Sequence, residues 1–412
     1  MSAKIRRRFG RIRLLKPEII VKVYDKNGNL IKEVKQEAKC FVKNFAETLY
    51  GMLSREAVYI HTPDNVVHNL NIVYPESLYG DGSKDWYYLE SRHLEAKAGA
   101  DNDSFGVLVG TGTTAPTNED YKLESQVPQG TGDNQLDHNP VTVSTVTEDT
   151  VNNITYFDIS RIFYNLGAVD IGINEIALYV RARVYVRNAN SIPMDFDYKY
   201  LVIRDVLATT VTVPAGGTLT VTYRLKAGLP FASNFMKWLR ALMASEDTEA
   251  IAQDGTVITI KGNVPMQTSE GYRRYVGPVL PMDAIADEGN DNYGVLIGSS
   301  STAEAITDYA LGSKLTNDVM RHYAGKGGGI ESLTDKWSLK VVRDFVNVSG
   351  VDQTVAELGL ATLQRYYMAH EGGAYKILDI NNKALVFRKV ISAITVTSNQ
   401  VLRVTIIISI PK

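Results

Sequence analysis

Cysteine is almost missing from this chain: Cys40 is the only one in 412 residues. No disulfide can form within the chain and no cysteine-based metal site can be built, so its stability must come from packing. A chain without disulfides can work in either redox environment, so the compartment stays open. Histidine is sparse as well, and no two of His61, His68, His93, His138, His322 and His370 have the spacing that puts both imidazoles on one helix face. There is no Gly-x-Ser-x-Gly elbow. The glycine-rich stretches GTGTTAP (110–116) and GKGGG (325–329) lack the Gly-Lys-Ser/Thr ending of a phosphate loop and read as turns. No catalytic set emerges, so no enzyme activity and no cofactor are expected. Long apolar runs are missing too. The longest, such as Val404–Ile410, are strand-sized and far short of the ~18–20 residues of a membrane-spanning helix. The basic N-terminus lacks the apolar core of a secretory signal. With 44 basic and 46 acidic residues the net charge is only −2, so the chain as a whole is no dedicated polyanion binder.

What is abundant points to sheet. Tyrosine (23) outnumbers phenylalanine (11) and tryptophan (3), and with many Thr and Val residues this composition favours strands. Runs at 19–24 and 30–34 flank Asn27-Gly28 and read as a hairpin. Residues 39–54 read as a helix, with Phe41, Phe45, Leu49 and Met52 on one face. A second helix is expected at 234–245. Elsewhere short strands alternate with Gly, Asn, Asp and Thr clusters, and 110–118 and 128–140 read as loops.

The strongest pattern is an internal duplication. SFGVLVGTGTTAPTNEDYKLESQV (104–127) matches NYGVLIGSSSTAEAITDYALGSKL (292–315) without a gap, pairing Gly106, Gly110, Asp120 and Tyr121 with Gly294, Gly298, Asp308 and Tyr309. INEIALY (173–179) parallels VAELGLA (355–361), YLVIRDV (200–206) parallels ALVFRKV (384–390), and LTVTYRL (219–225) parallels LRVTIII (402–408). The last strand of each copy alternates: Leu219, Val221, Tyr223 and Leu225 share one face, as do Leu402, Val404, Ile406 and Ile408. One apolar and one polar face is how an antiparallel sandwich strand reads. The expectation is an all-β chain of two tandem antiparallel β-sandwich, jelly-roll-like domains, each preceded by one helix. Residues 39–227 form the first repeat and 228–412 the second. Residues 1–38 have no counterpart and form a basic arm with an extra strand or hairpin.

Three groups of residues could carry a role. Asp101 and Asp103 in DNDSFG, with Asp291 in GNDNYG, could hold Ca²⁺, although no glutamate closes the loop at the proper spacing and Asx-rich turns are common; no metal is the first expectation. Glu175 and Arg204, repeated as Glu357 and Arg388, sit inside apolar runs and read as buried pairs joining two strands, with a catalytic carboxylate as the alternative. The first 16 residues hold seven basic residues and no acidic one; Arg6, Arg7, Arg8, Arg11 and Arg13 are interleaved with Ile5, Phe9 and Ile12. That mixture favours docking on a protein surface. Nucleic acid binding or a solvated tail are the alternatives. Cys40 reads as a buried structural thiol.

The order VLVGTGTTAPTNEDYKLES, INEIALY, YLVIRDV, VPAGGTLTVTYRL resembles structural domains of head-tailed phages and archaeal viruses, in particular tail-fibre and collar-type proteins. The lead-in IKEVKQEAKCFVKNFAETLYGML resembles the opening of such proteins in archaeal viruses. The second copy departs from the pattern, with GSSSTAE for GTGTTAP and LGLA for IALY. The resemblance implies a non-enzymatic virion component, made in the host cytoplasm.

The resulting expectation is a subunit of a viral tail fibre or surface filament, a homo-oligomer or polymer built by strand addition of the N-terminal segment. Ile19, Val21 and Val23 would be the inserted face. Other virion proteins and a host-surface receptor are further partners; nucleic acid and membrane are not expected. Deleting residues 1–35 should then leave folded, unassembled protein. The alternatives are a capsid-shell or portal-proximal protein whose basic arm contacts DNA, and a glycan-binding adhesin.

Overall fold

The computed structural model describes all residues except 1–3, 14–16, 39, 71–85, 189–192, 263–266, 270–271, 370–374 and 379–381. The N-terminal extension gives β1 (Lys4–Arg13), β2 (Glu18–Tyr24) and β3 (Leu30–Glu37). The first half continues with α1 (Lys43–Ser54), β4 (Val58–His61), β5 (Val67–Leu70), β6 (Trp86–Glu95), β7 (Gly106–Gly110), β8 (Asp137–His138), β9 (Thr142–Val143) and β10 (Thr147–Asp149). It ends with β11 (Ile154–Tyr164), β12 (Ile171–Asn188), β13 (Pro193–Val213) and β14 (Thr218–Gly228). The second half opens with α2 (Ser233–Ala244), β15 (Thr248–Ile251), β16 (Val257–Ile260), β17 (Gln267–Ser269), β18 (Tyr272–Asp283), β19 (Gly294–Gly298) and β20 (Met320–His322). It closes with β21 (Lys326–Ser332), β22 (Lys336–Asn347), β23 (Gln353–Ala369), β24 (Tyr375–Leu378), β25 (Lys383–Val396) and β26 (Val401–Pro411).

The chain is an all-β fold of sandwich type, with two helices among the described residues. In the first half one sheet runs β11-β14-β2-β3, and the facing sheet has β12 between β13 and the pair β6 and β7. In the second half β26 and β22 form one sheet, and the other has β23 between β25 and the pair β18 and β19. The alternation in the last strands has the expected result: Leu219, Val221, Tyr223 and Leu225, and Leu402, Val404, Ile406 and Ile408, are buried. Each such strand turns one face to the core and the other outward.

The first helix starts four residues later than the periodicity predicts. Phe41 makes a bridge with Ile203, Val42 N–H donates to Val202 O (3.1 Å), and Arg204 N–H donates to Cys40 O (3.2 Å), which holds residues 40–42 extended beside β13. The same occurs in the second half, where Phe231 bridges Phe387 and Ala232 N–H donates to Val386 O (3.1 Å). Each helix is then fixed by a buried asparagine. Asn44 Nδ2 donates to His61 O (2.8 Å) and Leu201 O (3.1 Å), and its Oδ1 accepts from His61 N–H (2.8 Å). Asn234 does the same with Ile251 and Leu385. Both helices end in a left-handed residue, Arg55 (φ 61°) and Ser245 (φ 55°), a common helix stop.

The helices also tie the halves together. α1 packs on its own β4 and β13 and on β18, β21 and β22 of the second half; α2 packs on β15 and β25 and on β6, β9 and β11 of the first. Consequently ten of the twelve residues of α1 are buried, more than a one-sided amphipathic helix would hide. The contacts are reciprocal: Ala284 N–H donates to Leu53 O (3.1 Å), and Ala96 N–H donates to Met243 O (2.8 Å). Such exchange of equivalent contacts is the pattern of an isologous, two-fold interface, here within one chain. Arg55 adds a bidentate pair to the buried Asp283 (2.9 and 2.7 Å) across this junction.

Candidate functional site

The N-terminal extension was the segment singled out for assembly, and the structure gives its two strands different places. β2 lies antiparallel to β14, with Ile19, Val21 and Val23 opposite Tyr223, Val221 and Leu219. All three are buried, at 1% exposure or less. β2 continues into β3 through the expected turn. Asp25 Oδ1 accepts from the N–H groups of Asn27 (2.8 Å) and Asn29 (2.9 Å), and Gly28 supplies a positive φ of 82°. Ile19, Val21 and Val23 are thus an inserted face, as expected, but within the sheet of their own chain. Their assignment as the strand given to a neighbour is corrected accordingly. Removing residues 1–35 would strip three fully buried aliphatic side chains, worth about 1.5–3 kcal/mol each, from the core. Such a deletion is a folding defect and no test of assembly.

β1 holds the basic residues and lies beside β26. It is parallel to that strand, whereas every other strand ladder among the described residues is antiparallel. The register places Ile5, Arg7, Phe9 and Ile12 opposite Leu402, Val404, Ile406 and Ile408, and Arg6, Arg8 and Arg13 opposite Arg403, Thr405 and Ser409; Arg11 falls in the irregularity between Phe9 and Ile12. β1 is the outermost strand of its sheet, with no described strand on its far side. The two halves thus present equivalent edges, β14 and β26, and the extension covers both.

Glu175 and Arg204 come together, as do Glu357 and Arg388. Arg204 Nε and Nη2 donate to Glu175 Oε2 (3.0 and 2.9 Å), linking β12 to β13. Glu175 also accepts from the N–H groups of Gly112 (3.1 Å), Glu124 (3.1 Å) and Ser125 (2.7 Å). The loop GTGTTAP is therefore wrapped on a carboxylate. Arg204 Nη1 donates to Asp120 (2.7 Å) and Nη2 to Thr114 O (3.1 Å). Burial pulls Arg204 down, but its hydrogen bonds to Asp120 and Glu175 outweigh that and hold the guanidinium above its ordinary value. In the second half Arg388 binds Glu357 (2.9 Å), Asp308 (2.9 Å) and Thr302 O (2.9 Å), and Glu357 accepts from Gly312 (3.0 Å) and Ser313 (2.7 Å). Both carboxylate oxygens of Glu175 and of Glu357 are engaged by the protein itself, which is the geometry of a loop anchor. The shared glycines follow from it. A Cβ on Gly110 would stand 2.5 Å from Glu175 Oε1, and one on Gly298 would stand 2.4 Å from Glu357 Oε1.

The Asx clusters answer to a second duplicated motif that the sequence reading missed. Arg161 and Arg343 are fully buried and donate to backbone carbonyls, Arg161 to Asn139 (2.7 Å), Gly99 (3.1 Å) and Val107 (3.3 Å). Arg343 donates to Tyr323 (2.8 Å), Val295 (3.2 Å) and Asp287 (3.2 Å). Burial lowers both guanidinium groups to about 10, partly offset by Asp103 and Asp101 for Arg161, and by Tyr293, Asp291 and Asp287 for Arg343. The carboxylates named for the Ca²⁺ alternative therefore face a fixed internal cation. They are also bonded locally: Asp101 accepts from Gln129 Nε2 (2.9 Å), Asp103 from Gln129 N–H (3.5 Å), and Asp291 from Asn317 N–H (3.2 Å). No group of three metal-ligating side chains occurs among the described residues. Asp101, Asp103 and Asp291 thus serve the fold through Gln129 and Asn317 and face the buried arginines. The signal for Arg161 and Arg343 was present, since they repeat at the same offset as Glu175 and Glu357.

His138 and His322 pack edge-on against Phe163 and Phe345, and burial, then the neighbouring Arg161 or Arg343, lowers each imidazole to about 4. Cys40 is buried, and burial raises its thiol to about 12, the state of an inert packing group. Among the described residues no helix is long and apolar enough to cross a membrane. Compared with known protein families, with curated proteins and with solved structures, the chain has no match.

Proposed function

We propose that this protein is a non-enzymatic structural subunit of a virus particle, part of a tail fibre or surface filament that grows as a homopolymer through strand addition. The observation that carries the reading is β1, a strand with no turn joining it to its partner β26, lying at the edge of an otherwise antiparallel sheet. Strand addition uses backbone hydrogen bonds for affinity and alternate side chains for fit. The assignment to a virion rests on the resemblance of the duplicated motifs. The saturated Glu175 and Glu357 anchors favour a scaffold role over catalysis. Negative-stain electron microscopy of the full-length protein over a range of salt concentrations tests the proposal. Filaments or ordered rods are expected. Monomers or small closed oligomers at every salt concentration would end it.

A second reading, a capsid-shell or portal-proximal protein, draws on the seven basic residues in the first 16. It requires DNA binding that weakens steeply with salt and disappears when residues 1–16 are removed.

A further inference from the structure

Resting on the strand-addition reading above, we propose that the edge of β26 is the acceptor site between subunits, and that the β1 segment Lys4–Arg13 seated there in the polymer comes from the adjoining copy. The occupant is a second copy of this chain, in head-to-tail order.

The argument starts from what β26 needs. It is an eleven-residue strand, Val401–Pro411, bonded on one side to β22. Its inward face, Leu402, Val404, Ile406 and Ile408, is wholly buried. Uncovered on its other side, such a strand is a long flat apolar edge, the kind that templates pairing with other chains. Something must fill it. In the first half the equivalent edge of β14 is filled by β2, which the Asp25 turn ties to β3 and whose Ile19, Val21 and Val23 complete the core. That strand cannot leave without unfolding its half.

β1 has no such tie. Being parallel, it needs no hairpin connection to β26, and it is separated from it by nearly the whole chain. Only the sequence 14–17 joins it to β2. Five Cα steps reach at most about 18 Å. The ladder formed by β1 of one copy on β26 of another has the same register and the same backbone bonds as the closed ladder, so exchange costs no pairing, which is the logic of a domain swap. The short connection then fixes the neighbour: β2 of the donor must lie within that reach of Ser409 of the acceptor, because Arg13 pairs with Ser409 and β2 begins at Glu18. The first half of one copy therefore abuts the second half of the next. This contact joins two different surfaces, so successive copies build a ring where the rotation between them closes and a filament where it does not.

Paired cysteines read the exchange directly. Arg8 is opposite Thr405, and Lys4 is opposite Val401, on the outward side of β26. The double variant R8C/T405C, and as an independent pair K4C/V401C, is made in the full chain, where buried Cys40 is the only other thiol. Each is concentrated under reducing conditions, oxidised, and run on a non-reducing denaturing gel, with electron microscopy of the same sample. The expected result is a ladder of covalent dimers, trimers and longer species that collapses on reduction. Covalent closure within monomers alone, in a sample that contains filaments, overturns the exchange while the filament reading survives on some other contact. Monomer closure without filaments overturns both. No cross-link from either pair, in variants whose circular dichroism matches the parent, removes β1 from β26 and overturns the exchange.

Discussion

Replacing Arg204 by Met is the sharpest test of the loop anchor. The change keeps the length of the stem and removes the guanidinium. Glu175, fully buried, is left with three backbone N–H donors and no counter-charge, while Asp120 loses its 2.7 Å partner. Removing one member of a buried ion pair typically costs about 3–5 kcal/mol. The unfolding entropy of ~2.1 cal/mol/K per residue, applied to 412 residues unfolding together, makes that a fall in Tm of roughly 3–6 °C. The reciprocal variant, Glu175→Ala, should cost more, because it orphans the N–H groups of Gly112, Glu124 and Ser125 in addition to breaking the pair with Arg204. Scanning calorimetry of the two variants, with Arg388→Met as the matched change in the second half, measures both the size and the order. A loss under about 1 kcal/mol for Arg204→Met, or a smaller loss for Glu175→Ala than for Arg204→Met, would refute the reasoning that the buried carboxylate anchors the loop.

Three further outcomes are expected. Arg55→Ala takes the guanidinium from the buried Asp283 carboxylate at the junction of the halves, where the Ile285 N–H bond (2.9 Å) carries no compensating charge, and should cost about 3 kcal/mol in urea unfolding, with a wild-type result excluding that pair as a brace. His138 and His322 are held near 4 in the fold against about 6.5 when unfolded. The unfolded chain therefore binds more protons between those values, and stability is full above about pH 6.5 and declines as pH falls toward 4, by on the order of 3 kcal/mol per histidine. Denaturation midpoints across that range should flatten in a His138→Gln/His322→Gln variant if it still folds, and an unchanged slope would remove the histidines from the account. Gly110→Ala drives a Cβ into Glu175 and Ser125 O and should cost about 1–3 kcal/mol by overpacking, whereas Gly99→Ala, with open space around it, should not.

Alternation at Leu219–Leu225 and Leu402–Ile408, the Asn27-Gly28 turn and the helix faces at Phe45 and Leu49 were legible because each depends on a local period that burial enforces. The Glu175–Arg204 pair was legible because both residues interrupt apolar runs twice over. The part played by Asp120 was not, since Thr-Asn-Glu-Asp in a loop looks like any solvated turn until Arg204 is placed over it. Nor could the period of α1 announce its second packing face. Tyr50 is buried there, its hydroxyl accepting from Gly329 N–H of the second half (2.8 Å), and polar residues on a helix read as solvent-facing. The fate of β2 was read correctly as insertion but assigned to the wrong acceptor, because alternation specifies a buried face and says nothing of which chain buries it.

The reciprocal packing of α1 and α2 gives this chain the character of an object with two nearly equal ends. Left alone, such a body has no direction: whatever one end offers, the other offers as well, and contacts between like ends would close off pairs. The N-terminal extension exists once, and it treats the two equivalent edges differently, sealing β14 with a turn-locked antiparallel strand and covering β26 with an untethered parallel one. Fewer than forty residues thereby make the molecule a vector. Any assembly that uses this difference inherits a head and a tail, and its two extremities need different caps.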